Sequence, residues 1–307
     1  MTQSTTLAQV LEHVPAWRGR DDIAITFLSG GITNHNYRVD VGGESFVMRL
    51  GGAKTELLGI DRANEYAASK AAADIGIAPD VVDFIQPEGY LICKFIRGRE
   101  MPPDEMRQSE TIREIARALQ KIHALPAVRA TFSPFQVVRD YDQLAREHGV
   151  TAFPENYAWL RAHMDEIESA FARINNAPVL CHDDLLNGNF LRDEQGNVRI
   201  LDWEYAGMGD KFFDLANFSA HHELDDGQIN TLLEAYFGQI TARDFASLKL
   251  MQCMSDFREA MWGVLQFGIS ELDFDFRGYA NQFFDKLTAR LNDARYLNWI
   301  QALNLHP

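Results

Sequence analysis

The chain has 307 residues, 46% of them hydrophobic, and a formal net charge of -15 at pH 7. This length and apolar content suffice for a globular protein with a substantial core. The acidic balance argues against a nucleic-acid-binding protein, because such proteins hold phosphate backbones with Lys and Arg. The negative net charge suits a protein that binds a small cationic ligand better than one that binds nucleic acid. Cys93, Cys181 and Cys253 are scattered and form no C-x-x-C pair, so neither a disulfide framework nor a zinc site is predicted.

Two features predict a cytoplasmic protein. Residues 1–6 lack the basic and apolar regions of a secretory signal. The longest notable apolar stretch, 260–270, is far shorter than the roughly 20 residues that cross a bilayer. We therefore expect no membrane insertion. The sequence carries no signal for the oligomeric state.

The N-terminal part is predicted to form an antiparallel sheet with two helices. Apolar spacing, β-rich runs and Gly/Pro boundaries define these elements. In order, they are a helix at 6–14, strands at 23–28, 37–41 and 45–50, a helix at 61–74, and strands at 81–85 and 90–96. The pair Gly42 and Gly43 predicts a hairpin turn between the second and third strands.

The chain becomes mainly helical after residues 97–99. Segments with helical apolar spacing lie at 109–124, 157–174, 228–239, 241–265 and 279–291. The change in pattern predicts an α+β fold with two lobes. Residues 1–96 would form a small antiparallel-sheet lobe, and residues 97–307 a larger, mainly helical lobe.

The segment from residue 180 to residue 204 carries the clearest chemistry. His182, Asp184 and Asn189 have the order and spacing of a kinase catalytic loop, H-x-D-x-x-x-x-N, in which Asp takes a hydroxyl proton and Asn holds magnesium. Residues 190–200 read as a hairpin that returns Asp202 to the side of Asn189. Mg²⁺ prefers oxygen ligands and few protein carboxylates, so Asn189 and Asp202 are candidate metal ligands and Asp184 the candidate catalytic residue. Taken singly, each would be an ordinary turn former.

These motifs resemble the choline/ethanolamine kinase branch of the aminoglycoside-phosphotransferase-like kinases. The resemblance is carried by residues 29–39, 46–50, 181–189, 201–206 and 213–217, and more weakly by 261–263 and 278–280. It implies a bilobal, protein-kinase-like fold with ATP and Mg²⁺ as cofactors. In that fold, residues 1–96 would bind nucleotide, and residues 97–307 would carry catalysis and substrate binding. The implied reaction is phosphorylation of the hydroxyl of a small cationic alcohol, with choline as the first candidate.

The resemblance also implies roles for residues outside the catalytic loop. It assigns nucleotide contacts to Gly30, Gly31, Thr33, Asn34, Asn36, Arg49, Glu65, Lys94 and Ile96. Arg49 would bind phosphate with Glu65 as its ion-pair partner, as a basic residue and a helix acid do in kinases. Lys94 and Ile96 would flank adenine through main-chain groups. His182 would order the catalytic loop and Asp214 would brace it.

Aromatic residues are the candidates for binding the substrate cation. A quaternary ammonium group donates no hydrogen bond, so its site uses aromatic faces. The resemblance places Trp262 and Tyr279 there, and Tyr205 is added by its position after Asp202. Aromatic residues on apolar helices are more often simply core.

The sequence also departs from the family pattern. It has His221, His222 and Glu223 where eukaryotic choline kinases carry an acid, and Leu265 where they carry a second tryptophan. The two histidines are expected at the surface. Ethanolamine, thiamine and aminoglycosides therefore remain alternative substrates. A catalytically inactive nucleotide-binding regulator is the alternative from another class, against which the intact catalytic loop argues.

Overall fold

The N-terminal lobe is built on a five-stranded antiparallel sheet. The computed structural model describes residues 11, 14–28, 34–52, 54–174 and 176–304, so most of the helix predicted at 6–14 lies outside the described residues. The strands are β1 (Ala24–Leu28), β2 (Asn34–Val41), β3 (Glu44–Gly51), β4 (Val81–Ile85) and β5 (Tyr90–Lys94), in the order β1-β2-β3-β5-β4. All five were predicted from the sequence.

The β2–β3 hairpin turns at the predicted glycine pair. Gly42 and Gly43 have φ values of 61° and 80°, and Val41 pairs with Glu44 across the turn. Two successive left-handed residues define a type I′ turn, whose twist matches that of the strands. The register then places Asn36 opposite Arg49.

Helix α1 (Arg62–Asp74) packs beside this sheet and confirms the helix predicted at 61–74. Asp61 caps its N-terminus by accepting from the amides of Ala63 and Asn64, at 2.9 and 3.1 Å. Such a cap satisfies amides that the first turn leaves without partners. The inner face of α1 buries Glu65, which is 2% exposed.

The C-terminal part is mainly helical. Its helices are α2 (Pro103–Met106), α3 (Ser109–His123), α4 (Pro134–Glu147), α5 (Tyr157–Phe171), α6 (Lys211–His221), α7 (Asp226–Phe237), α8 (Ala242–Ile269), α9 (Phe276–Leu291) and α10 (Tyr296–Asn304). The helices predicted from apolar spacing, α3, α5, α7, α8 and α9, are present, and the α+β class is confirmed. The sequence did not predict α2, α4, α6 or α10.

Two small sheets hold the segments that carry the catalytic motif. The predicted hairpin is present as β8 (Phe190–Asp193) and β9 (Val198–Ile200), and β6 (Gly98–Glu100) extends it. Strand β7 (Val179–Cys181) pairs with β10 (Gly207–Gly209). Gly98 is required where β6 meets β8, because a Cβ there would lie 2.4 Å from the carbonyl oxygen of Arg192.

The apolar core has two parts. A small cluster covers one face of the N-terminal sheet and includes Val39, Met48 and Ile92. A large cluster is centred on α8, which packs against α4, α6, α9 and α10. Ala68 and Ala72 of α1 belong to the large cluster, and the lobe boundary at residue 96 stays a prediction. None of the described helices is both long and apolar enough to span a membrane.

Candidate active site

The catalytic-loop motif forms one hydrogen-bonded unit between β7 and β8. His182 is fully buried and its Nε2 lies 2.8 Å from the carbonyl oxygen of Leu201. Its Nδ1 accepts from the amide of Asp184 at 3.2 Å. A ring that accepts at Nδ1 and contacts a carbonyl at Nε2 fits the tautomer with its proton on Nε2. His182 thus ties the loop to the segment that leads into Asp202.

Asp214, in the first turn of α6, holds the same loop through hydrogen bonds to its main chain. Its carboxylate accepts from the amides of His182 and Asp183, both at 2.8 Å, and lies 3.0 Å from Nε2 of His123. Burial acts to raise the pKa of Asp214, but the hydrogen bond and charge of His123 outweigh it, so the net shift is downward. A carboxylate that receives several N–H bonds stays ionised. Asp214 thus contacts two main-chain amides of the loop, and its bracing role stays a prediction.

Asp184, the candidate catalytic residue, is 7% exposed. Its Oδ1 lies 3.1 Å from Nη1 of Arg258, and its Oδ2 accepts from the side-chain amide of Asn189 at 3.2 Å. Burial raises the pKa of Asp184, and the positive charge of Arg258 opposes that shift. The neighbouring Asp183 is 0% exposed with φ of 66°, and burial raises its pKa well above the usual range.

The two candidate metal ligands are brought together by the β8–β9 hairpin. The amide of Leu201 donates to the carbonyl oxygen of Asn189 at 2.8 Å, which sets Asp202 one residue from that contact. The side-chain nitrogen of Asn189 donates to Asp184, both to its main-chain oxygen at 2.8 Å and to its carboxylate. The amide oxygen of Asn189 is the atom of this side chain that would hold a metal ion. Asp202 takes a left-handed backbone, with φ of 64°.

Arg49 and Asp202 face each other across the cleft between the lobes. Nη1 of Arg49 lies 2.9 Å from Oδ1 of Asp202 and also contacts the carboxylate of Glu65. The structure therefore contains the predicted Arg49–Glu65 ion pair, with the Arg49 side chain on β3 directed at the candidate metal site. A cation at this point is suited to phosphate oxygens.

A buried network extends this ion pair. Arg62 contacts Glu65 at 2.7 Å, Glu204 at 3.1 Å and Asn34 at 2.9 Å. Asn34 also donates to Glu204 at 2.8 Å. The side chain of Asn34, predicted to contact nucleotide, is thus engaged by Arg62 and Glu204. Burial, reinforced by the charge of Asp202, raises the pKa of Glu204 to about 8.

The other predicted nucleotide residues are only partly described. Gly30, Gly31 and Thr33 lie outside the described residues. The amides of Lys94 and Phe95 donate to the carbonyl oxygens of Asp80 and Ser45, at 2.8 and 3.0 Å. Because these two amides already have partners, the main-chain amide of Ile96 is the candidate in this segment for binding adenine. The side chain of Lys94 instead lies over the ring of Phe46 and pairs with Glu44.

The predicted aromatic group is assembled next to Asp184. Nε1 of Trp262 donates to the hydroxyl of Tyr205 at 3.2 Å, and the rings of Trp262 and Tyr279 lie 5.4 Å apart. The hydroxyl of Tyr279 donates to Glu259 at 2.6 Å. Trp262 on α8 therefore contacts both Tyr279 on α9 and Tyr205 in the loop before β10. We call these three side chains the aromatic wall.

This geometry places the catalytic-loop motif beside a group of aromatic residues, and comparison with known proteins identifies the family. The family profile described as Choline/ethanolamine kinase matches residues 25–228. The chain belongs to the choline/ethanolamine kinase family. It is 27% identical to ethanolamine kinase 2 of Homo sapiens over 317 aligned positions, which cover 91% of this chain and 79% of that protein. The chain is thus a small-molecule kinase.

Solved structures of the family share the fold of this kinase. A choline/ethanolamine kinase family protein from Mesorhizobium loti has a TM-score of 0.84 at 25% identity, covering 99% of this chain and 100% of that one. Choline kinase LicA from Streptococcus pneumoniae has a TM-score of 0.77 at 23% identity, covering 93% of this chain and 99% of that one. At 23% identity, the likeness to choline kinase LicA supports the fold alone.

Sequence reasoning missed the charged pair that this kinase places among its aromatic residues. Arg258 and Glu259 are 2% and 3% exposed on α8, and they pair with each other. The signal was available, since adjacent ionisable residues inside an apolar helical segment are rarely buried without a specific role. Glu204 and Arg62 were likewise unassigned.

The residues at which the sequence departs from the family pattern do not all lie where the sequence predicted. His222 is 4% exposed, so the predicted surface position of the two histidines is wrong for it. It packs against Phe218 and Phe190, because the last turn of α6 is covered by the core. Nε2 of His221 lies 3.5 Å from Oε1 of Glu259. Glu223 pairs with Lys286 on the surface, and Leu265 is fully buried.

Proposed function

We propose that this kinase transfers the γ-phosphoryl group of ATP to the hydroxyl of a small amino alcohol, with Mg²⁺ as cofactor. The observation that supports it most is the assembled loop, in which Asp184 and Asn189 are joined by hydrogen bonds and Asp202 is held beside them. Phosphoryl transfer depends mainly on positioning and charge neutralisation. The relative named ethanolamine kinase 2 supports the amino alcohol as acceptor.

The candidate metal ligands fit magnesium. The amide oxygen of Asn189 and the carboxylate of Asp202 are oxygen donors, which Mg²⁺ prefers, together with phosphate oxygens. Bound there, the ion would neutralise charge on the β- and γ-phosphates. The side chain of Asp202 is 27% exposed, so it can be reached from the cleft.

The remaining residues have separate tasks. Asp184 accepts or orients the proton of the substrate hydroxyl, because its carboxylate lies between Asn189 and Arg258. Arg49 binds phosphate oxygens and is held in place by Glu65. Ile96 offers a main-chain group to adenine, and Asn36 lies opposite Arg49 in the β2–β3 pair.

The charges on the substrate side favour an acceptor with one positive charge. Asp184 and Glu259 supply two negative charges and Arg258 one positive. An aminoglycoside with several ammonium groups would need more carboxylates than this wall offers. Choline, the first candidate from the sequence, and ethanolamine both carry one positive charge. The identification of the substrate as choline stays a prediction, as does the cytoplasmic location.

ADP release by the purified protein tests this function directly. The acceptor panel is choline, ethanolamine, thiamine and an aminoglycoside, each with ATP and Mg²⁺. We expect turnover with at least one amino alcohol and a loss of about 10²–10⁴ in kcat for Asp184→Asn, the usual contribution of a general base. Asp104→Asn, at an exposed ion pair with Arg107, is the matched control. Nucleotide binding without turnover of any acceptor would favour the inactive regulator instead.

A further inference from the structure

A guanidinium group of this chain lies on an aromatic face that was predicted to receive the substrate cation. Cζ of Arg258 is 4.4 Å from the centre of the Tyr205 ring, within the distance of a cation–π contact. The same guanidinium contacts Asp184 at 3.1 Å and pairs with Glu259. Arg258 therefore touches both the candidate catalytic residue and the aromatic wall.

Arg258 also has hydrogen-bonding capacity that points to a ligand. Its Nε and Nη2 are buried and have no hydrogen-bond partner among the described residues. Buried donors are nearly always satisfied in native proteins, and an unsatisfied one is costly. An oxygen of the acceptor alcohol beside Asp184 would satisfy one of them. This oxygen is common to ethanolamine and choline, so the contact would orient the acceptor without distinguishing the two alcohols.

The remaining aromatic faces form an incomplete cage for a quaternary cation. The Trp262 ring packs edge-on against Tyr279 and against Phe276, with ring centres 5.4 and 5.8 Å apart. Tyr279 also packs against Phe283 at 4.8 Å. A second cation at the Tyr205 face would meet the positive charge of Arg258 and be repelled.

The carboxylate beside these rings suits an ammonium group that retains N–H. Glu259 accepts from Arg258 and from Tyr279, and a carboxylate offers about four acceptor positions in all. An N–H of a protonated amine can use the positions that are left. A fully methylated ammonium gains only charge attraction there, without a hydrogen bond.

We propose that Arg258 is a specificity-determining residue, which fills the Tyr205 face with a cation of the protein itself and selects amino alcohols that retain N–H over quaternary ones. Ethanolamine is the simplest such substrate and choline the simplest one disfavoured. This inference rests on the proposed function, because it concerns the acceptor of the same reaction.

The test compares kcat/KM for ethanolamine and choline in matched variants. Wild type is expected to prefer ethanolamine by about tenfold or more, the scale of one lost cation–π contact. Removing Arg258 alone would take away the ion-pair partner of the buried Glu259, which destabilises proteins. The informative variant is therefore Arg258→Met with Glu259→Gln, compared with Glu259→Gln alone. The double variant should shift the ratio toward choline by about tenfold relative to that single variant. Arg258→Lys, which keeps the charge, should largely preserve the wild-type ratio.

A second variant covers the case in which the double substitution does not fold. Tyr205→Leu removes the ring that Arg258 covers and that the sequence predicted to bind the substrate cation. If Arg258 occupies it, the choline and ethanolamine KM values change together, whereas a ring that binds choline gives a selective rise in the choline KM. A wild type that prefers choline, or a double variant with an unchanged ratio and a normal melting temperature, would overturn the proposal.

Binding measurements separate this inference from the proposed function. Calorimetry with each alcohol, in the presence of Mg²⁺ and a non-hydrolysable ATP analogue, needs no turnover. Tighter binding of ethanolamine without any ADP release would leave Arg258 as the specificity residue and reject the kinase reaction. Turnover of choline in preference to ethanolamine would support the kinase reaction and reject Arg258 as the specificity residue. Binding of neither alcohol would reject both.

Discussion

At the scale of single residues, the site depends on buried charges that are held by hydrogen bonds. Asp214 receives N–H groups from His182, Asp183 and His123, and it is 0% exposed. Removing the charge of such an acceptor leaves its buried donors poorly matched, at a cost of about 1–3 kcal/mol. Because two of these donors belong to the main chain of the catalytic loop, the shape of that loop depends on Asp214.

The pKa shift of Asp214 predicts a pH-dependent part of the stability. Its folded pKa is below the usual value of 3.8, so its contribution is present above about pH 4 and is lost as pH falls through the lower folded pKa. Asp214→Asn should therefore lower the melting temperature near pH 7, and the difference from wild type should shrink below pH 4. Asp225→Asn, at the exposed N-cap of α7, is the control and should change little. A difference that stays constant down to pH 3 would contradict the argument.

At the scale of elements, the sequence predicted those whose pattern is local. The catalytic loop and the β8–β9 hairpin were recognisable because ligand spacing and the Gly-Asn turn are local properties. Helix α6 was missed because residues 212–220 are buried all round, and such a helix has no polar face to give a helical period. The contact of Arg258 with Tyr205 joins residues 53 positions apart in the chain, and no local pattern encodes a contact of that kind.

The close packing of α8 on α9 positions the aromatic wall. A Cβ on Gly263 would lie 3.0 Å from a ring carbon of Tyr279 and 3.1 Å from the Cβ of Ala280. Gly263→Ala should therefore displace Tyr279 and raise the KM of the alcohol several-fold, with the KM of ATP unchanged. Gly268→Ala is the matched control on the same helix, because its Cβ would meet Val150, at 2.7 Å, rather than an aromatic residue of the wall. It should affect the melting temperature without a selective change in the alcohol KM, and the same change in both variants would count against the prediction.

At the scale of the whole molecule, polar contacts connect the sheet lobe and the helical lobe around the cleft. Arg62 and Asn34 reach Glu204, and the ammonium group of Lys54 lies 3.1 Å from the carbonyl oxygen of Ile269. Arg49 of the sheet lobe meets Asp202 of the helical lobe directly. A ligand that binds between Arg49 and Asp202 therefore contacts both parts of the chain.

This arrangement predicts that nucleotide and metal stabilise the protein together. A ligand that binds only the folded state adds about 2.7 kcal/mol at 100 times its dissociation constant. Mg²⁺ with a non-hydrolysable ATP analogue should thus raise the melting temperature more than the analogue alone, because the ion links phosphate to Asn189 and Asp202. In Asp202→Ala the extra increment from Mg²⁺ should disappear, while the increment from the nucleotide persists through Arg49. The exposed substitution Asp104→Ala should retain both increments. An Mg²⁺ increment that survives in Asp202→Ala would show that the ion binds elsewhere and would remove Asp202 from the metal site.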